Sequence, residues 1–122
     1  VVRDPWHRTV SEYVWKCRSN DFKRLNGWLD TTLENIKHED HQNHFLPQTC
    51  FVNDDVKIFS YKDWDKMCEY VGTKLGIKKF QTSYRKQKRF NYEAPSIDVL
   101  ENSVRSKWED LYGEDLKLYH SL

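Results

Sequence analysis

Apolar residues recur along this chain at steps of three and four in four separate stretches. Val10, Tyr13, Val14 and Cys17 make the first stripe, and their spacing predicts a helix over residues 5–19. Ser19-Asn20-Asp21 interrupts it and can cap a second helix, over 22–37, whose stripe is Phe22, Leu25, Trp28, Leu29, Thr32, Leu33 and Ile36. Gly27 weakens that helix by about 1 kcal/mol without overturning it. Ser60 caps a third, over 61–75, with Trp64, Met67, Cys68, Val71 and Leu75 on one face and Gly76 as its stop. Pro95-Ser96 opens a fourth, in which Ile97, Leu100, Val104, Trp108 and Leu111 face inward and Gly113 is the expected end. Leu116, Leu118 and Tyr119 are left for a short final turn. Val1-Val2 and Val56-Lys57-Ile58-Phe59 read as short strands, and residues 38–55 and 78–95 read as loops.

The order strand–helix–helix–strand–helix–helix predicts an α/β layered fold, a parallel sheet flanked by helices, mostly helical over this stretch. Two strands alone do not make a stable sheet. Further strands are therefore expected upstream, and residues 1–122 read as the C-terminal part of a single domain. The missing initiating Met and the start inside a strand point the same way. Five Trp, seven Tyr and six Phe supply enough apolar surface for a core. Charged residues make up 32% of the chain but the net charge is only +1, which excludes a globally basic nucleic-acid binder and leaves room for a local basic patch. No apolar run has transmembrane length, and the start lacks the pattern of a signal peptide. Cys17, Cys50 and Cys68 are neither a disulfide framework nor a zinc spacing. Cys17 and Cys68 read as small buried residues, and a Cys17–Cys50 bridge stays open.

Chemistry concentrates at the start. Asp4 can cap the first helix and Pro5 suits its first position. A helix N-terminus gathers unpaired N–H groups and positive potential, which favour a phosphate. Arg3 falls at the strand end, and Asp4, Arg8 and Ser11 share one helix face. A guanidinium grips phosphate oxygens in a fork, and a hydroxyl donates one more bond.

This segment resembles the 3′-phosphate-binding motif of sulfotransferases that use 3′-phosphoadenosine-5′-phosphosulfate (PAPS). That motif is an Arg at a strand end, then Asp or Asn, then Pro, with a Ser eight residues after the Arg, a spacing that Arg3 and Ser11 keep. Asp4-Pro5 and Arg8 fit the form common in the carbohydrate branch. His44-Phe45-Leu46-Pro47-Gln48 is similar to that branch's H-x-x-P-Q stretch, and Lys57–Tyr61, Trp64 and Leu75-Gly76-Ile77 resemble its strand–helix–LGI segment. Tyr61 or Lys62 stands where the family often has Glu. Leu111–Tyr119 is similar to the closing Y-x-x-D-x-x-L-Y turn. The resemblance implies part of a P-loop-NTPase-like sulfotransferase fold. It implies PAPS as donor, 3′-phosphoadenosine-5′-phosphate (PAP) as product, and a carbohydrate hydroxyl as acceptor. Arg3, Arg8 and Ser11 would hold the 3′-phosphate. The 5′-phosphosulfate loop and the catalytic base are expected upstream of Val1, so the chain alone would be inactive. A eukaryotic relative would sit in the Golgi lumen behind an N-terminal membrane anchor, a bacterial one in the cytoplasm.

Lys78, Lys79, Arg85, Lys86, Lys88 and Arg89 form a basic run with Phe80, Tyr84, Phe90 and Tyr92 interleaved. Such a segment can close over a nucleotide, with cations on phosphates and a ring against the base. By position, Arg85, Lys86 and Arg89 are the candidates for cofactor contact. The same composition suits a solvated charge run, or single-stranded nucleic acid, although no nucleic-acid partner is expected. His38, His41 and His44 are three residues apart. Imidazoles so spaced can share Zn²⁺, but a polar loop contacting substrate through His41 and His44 is the preferred reading, and no metal is expected. His44 can also help proton transfer. No nucleophile elbow and no Walker-type phosphate loop is present. Two other classes stay open: a non-catalytic α/β module that binds a nucleotide or polyanion, and a helical protein-interaction domain.

Overall fold

The computed structural model describes residues 1–36, 44–80 and 92–122. Four α-helices carry it: α1 (Pro5–Cys17), α2 (Leu25–Asn35), α3 (Trp64–Leu75) and α4 (Asn102–His120). Short 3-10 turns, Phe22–Arg24, Gln48–Phe51, Tyr61–Asp63 and Ile97–Val99, lead into or between them.

The expected α/β sheet is not there: among the described residues the architecture is helical. What remains of the two strands is a single parallel bridge between Val2 and Ser60. Val2 N–H donates to Phe59 O at 2.8 Å, and Tyr61 N–H donates to Val2 O at 2.8 Å. The pairing stops there for local reasons. Asp4-Pro5 turns the chain into α1 two residues after the bridge. On the other side Ser60 Oγ accepts the N–H of Lys62 and starts the Tyr61–Asp63 turn.

α1, α2 and α4 form the core. Val10, Tyr13 and Val14 from α1, Leu25 and Leu29 from α2, and Val104, Trp108 and Tyr112 from α4 are all buried together. Trp108, fully enclosed, meets Trp6 edge-to-face at 5.7 Å between ring centres. Burying one such large apolar side chain stabilises the fold by about 1.5–3 kcal/mol. Their polar atoms are also met: Trp108 Nε1 donates to Thr9 Oγ1 and Trp6 Nε1 to Pro95 O. Asn26 of α2 fastens the start of α4, its Nδ2 donating to Val99 O and its Oδ1 accepting from Glu101 N–H. Lys107 of α4 pairs with Asp30 and Glu34 of α2.

Several boundaries differ from the pattern. α1 ends at Cys17 because Arg18 adopts the left-handed conformation (φ 49°). Gly76 (φ 69°) stops α3 as expected. Gly113 does not stop α4, which runs on to His120 and absorbs the predicted final turn. Tyr112 and Asp115, on either side of that glycine, are both buried, and their packing outweighs its weak propensity. α3 stays outside the main core: Cys68 and Gly72 are buried, while Leu75, expected inside, is exposed. Cys17, also expected inside, is exposed, and all three cysteines are free thiols. No helix among the described residues is long and apolar enough to cross a membrane.

Candidate anion site at the start of the first helix

Asp4 caps α1 as its sequence position requires. Its Oδ1 accepts from Trp6 N–H at 2.9 Å and from His7 N–H at 3.2 Å. Pro5 has no N–H, and Arg8 N–H is already bound to Asp4 O at 2.9 Å. The first-turn donors are thus spent on Asp4, whose own charge offsets the helix dipole. An anion here must be held by side chains, not by the helix end.

Arg3 is the side chain placed to do so. Its backbone is gripped on both sides by one amide: Arg3 N–H donates to Gln48 Oε1 at 2.9 Å, and Gln48 Nε2 donates to Arg3 O at 2.9 Å. Its guanidinium lies over the Tyr61 ring, 5.0 Å from the centre. Val2, Arg3, Gln48 and Tyr61 are thus tied together by backbone and amide hydrogen bonds and one cation–ring contact.

Gln48 is itself fixed from α4. Asp115, wholly buried, accepts from Gln48 N–H through Oδ2 (2.7 Å) and from Thr49 N–H through Oδ1 (2.9 Å). One carboxylate thereby caps the Gln48–Phe51 turn from another helix, a charge-assisted pair of bonds. Tyr112 OH donates to Phe45 O at 2.6 Å. Burial pushes the Tyr112 phenol far above the usual tyrosine range, with the carboxylates of Asp115 and Glu12 adding to the rise and Arg8 opposing it. From α1, Arg8 donates through Nη1 to Leu46 O (2.8 Å) and through Nη2 to His44 O (2.6 Å). Residues 44–49 are held on two sides, by α1 and by α4.

Arg3 and Arg8 face one open cavity of about 380 Å³, whose remaining wall includes Gln48 and the apolar side chains of Val1, Phe51, Val56 and Ile58. Ser11 is half-buried two turns along α1 and does not reach this wall. The structure therefore brings together two of the three residues predicted for the phosphate, and it gives Arg8 a role in holding backbone as well. His44 is exposed, its ring turned to Glu12 of α1. His41, Arg85, Lys86 and Arg89 lie outside the described residues. Among the described residues no three His, Cys, Asp or Glu side chains are grouped to hold a metal ion.

Gln48, Asp115, Tyr112 and Glu12 were given no role by sequence reasoning. Signals were nonetheless present: Gln48 closes the H-x-x-P-Q stretch, Tyr112 and Asp115 belong to the Y-x-x-D-x-x-L-Y stretch, and Asp115 falls seven residues after Trp108, on the inward face of α4, where an acid needs a buried partner. No family model matches the chain, and no curated protein or solved structure matches it.

Proposed function

We propose that this chain anchors the 3′-phosphate of PAPS and serves the transfer of a sulfuryl group to a carbohydrate hydroxyl. One observation carries the reading: Arg3, whose position is set by Gln48 and Tyr61, shares the wall of a single cavity with Arg8. Two guanidinium groups on one concave wall suit a dianionic phosphate, and the apolar rim suits the flat face of a base. PAPS, when bound, supplies the activated sulfuryl group. The residues here supply the anchor, Arg3 first and Arg8 beside it. The spacing of Arg3, Asp4, Pro5, Arg8 and Ser11 ties this anion to the sulfotransferase motif rather than to phosphate in general.

Calorimetric titration with PAP tests the reading. Binding is expected, and Arg3→Ala is expected to weaken it by about ten- to a hundredfold, the worth of one or two charge-assisted hydrogen bonds. Arg3 makes no hydrogen bond through its side chain to another part of the core among the bonds described, so the variant should stay folded by circular dichroism. Folded protein that ignores PAP overturns the proposal. That outcome favours a helical interaction domain, a second reading supported by the wholly helical architecture of the described residues.

A further inference from the structure

We propose that Glu12 and His44 form an activated imidazole beside the anion cavity, with His44 Nε2 as the acceptor of a proton from a bound hydroxyl. His44 Nδ1 lies 3.1 Å from Glu12 Oε1. A carboxylate can only accept, so in the neutral imidazole the proton sits on Nδ1 and Nε2 keeps its lone pair. The two partners differ in exposure, as such a role requires. The Glu12 side chain is 18% exposed and the His44 side chain 45%. The carboxylate is the sheltered orienting group and the imidazole the accessible one.

Glu12 is available for this duty. Its second oxygen, Oε2, is buried and has no hydrogen-bond partner among the described residues. The contact to His44 is thus what this carboxylate does with its hydrogen-bonding capacity. The backbone of His44 is fixed as well, because Arg8, one turn before Glu12 on α1, donates to its carbonyl. Arg8, Asp115 and Glu12 all act on the Tyr112 phenol, so Glu12 shares its neighbourhood with these charges. Arg8 also lines the cavity, so one side chain joins the cavity wall to the backbone of His44.

The step is a single proton transfer. The O–H bond of the hydroxyl breaks, its electron pair stays on oxygen, and the proton moves to Nε2. The resulting imidazolium faces the Glu12 carboxylate, which stabilises it. That the hydroxyl belongs to a carbohydrate rests on the proposed function; the activated imidazole does not.

The test is site-resolved acylation with diethyl pyrocarbonate, read by mass spectrometry on the whole chain at neutral pH. His7 and His120, both exposed, serve as internal references. His44 is expected to react faster than either, and Glu12→Ala is expected to slow it to the rate of the references. Glu12→Gln keeps shape without charge and provides the variant least prone to misfold; an intermediate rate is expected. Nitrogen-detected NMR of the wild type should show the proton on Nδ1. A His44 rate no higher than the references, an Nε2–H tautomer, or a rate indifferent to Glu12 overturns the proposal. Fast His44 acylation in protein that does not bind PAP supports the pair while removing the sulfotransferase reading.

Discussion

Gln48 and Asn26 do the same work in different places. Each turns a primary amide toward a stretch of backbone, accepting from an N–H and donating to a carbonyl, as a neighbouring strand would. Gln48 thereby fixes Arg3 where no sheet does so, and the candidate anion site depends on a side chain standing in for secondary structure. Tyr112 carries the next link, since its hydroxyl holds Phe45 O inside the protein. Tyr112→Phe leaves that carbonyl unpaired and should cost about 1–3 kcal/mol in urea unfolding. The same phenol gives the protein an alkaline weakness. Its pKa is raised in the folded state, so its contribution is intact below about pH 10, where both states are protonated. Above that, the unfolded chain ionises while the folded one does not, and stability falls with rising pH. Urea midpoints measured between about pH 8 and about pH 11 should decline in the wild type, and less steeply in Tyr112→Phe.

The helices show where a local signal is enough. Asp4 caps α1 where its position said it would, and Gly76 ends α3 in the left-handed conformation, whereas Ser60 caps only the short turn that leads into α3. These features were legible because a cap or stop involves only neighbours in sequence. Gly113 was misread because what overrides it, the burial of Tyr112 and the grip of Asp115 on residues 48 and 49, comes from far along the chain. Neither Gly113 nor Gly27 is needed for space: a methyl group at either would meet no atom within 4 Å, and both lie inside regular helices. Gly27→Ala and Gly113→Ala should each stabilise the protein by roughly 0.5–1 kcal/mol. Thermal unfolding checks this, and a loss of stability at Gly113 would mean that α4 is not continuous there.

At the scale of the whole molecule, the core and the rest are unequal. α1, α2 and α4 share one buried cluster, whereas α3 joins the remainder through the Val2 bridge and the turn that precedes it. Amides of α3 should therefore exchange with solvent at a lower opening free energy than those of α1 and α4. Equal protection in native-state hydrogen exchange would count against that division. Much of this was written in the sequence: the apolar stripes of α1, α2 and α4 are the core, and the Arg3–Asp4–Pro5 run is where the cavity lies. The absence of a sheet among the described residues was not, because two valines and Val56–Phe59 look like strands whether they pair once or many times. Gln48 and Asp115 stood out as motif positions, but what they hold was hidden, since both act on distant backbone.

The clamp on residues 44–49 has a consequence for how the protein comes into being. Arg3 is among the first residues of this sequence to leave a ribosome, and Tyr112 and Asp115 are among the last. Until α4 has been made, residues 44–49 can rest on Arg3, Arg8, Glu12 and Trp28, while the support from Tyr112 and Asp115 is still missing. The cavity is thus finished from its far end, and a nascent chain stalled before Tyr112 would carry Arg3 and Arg8 without the full support of the wall between them.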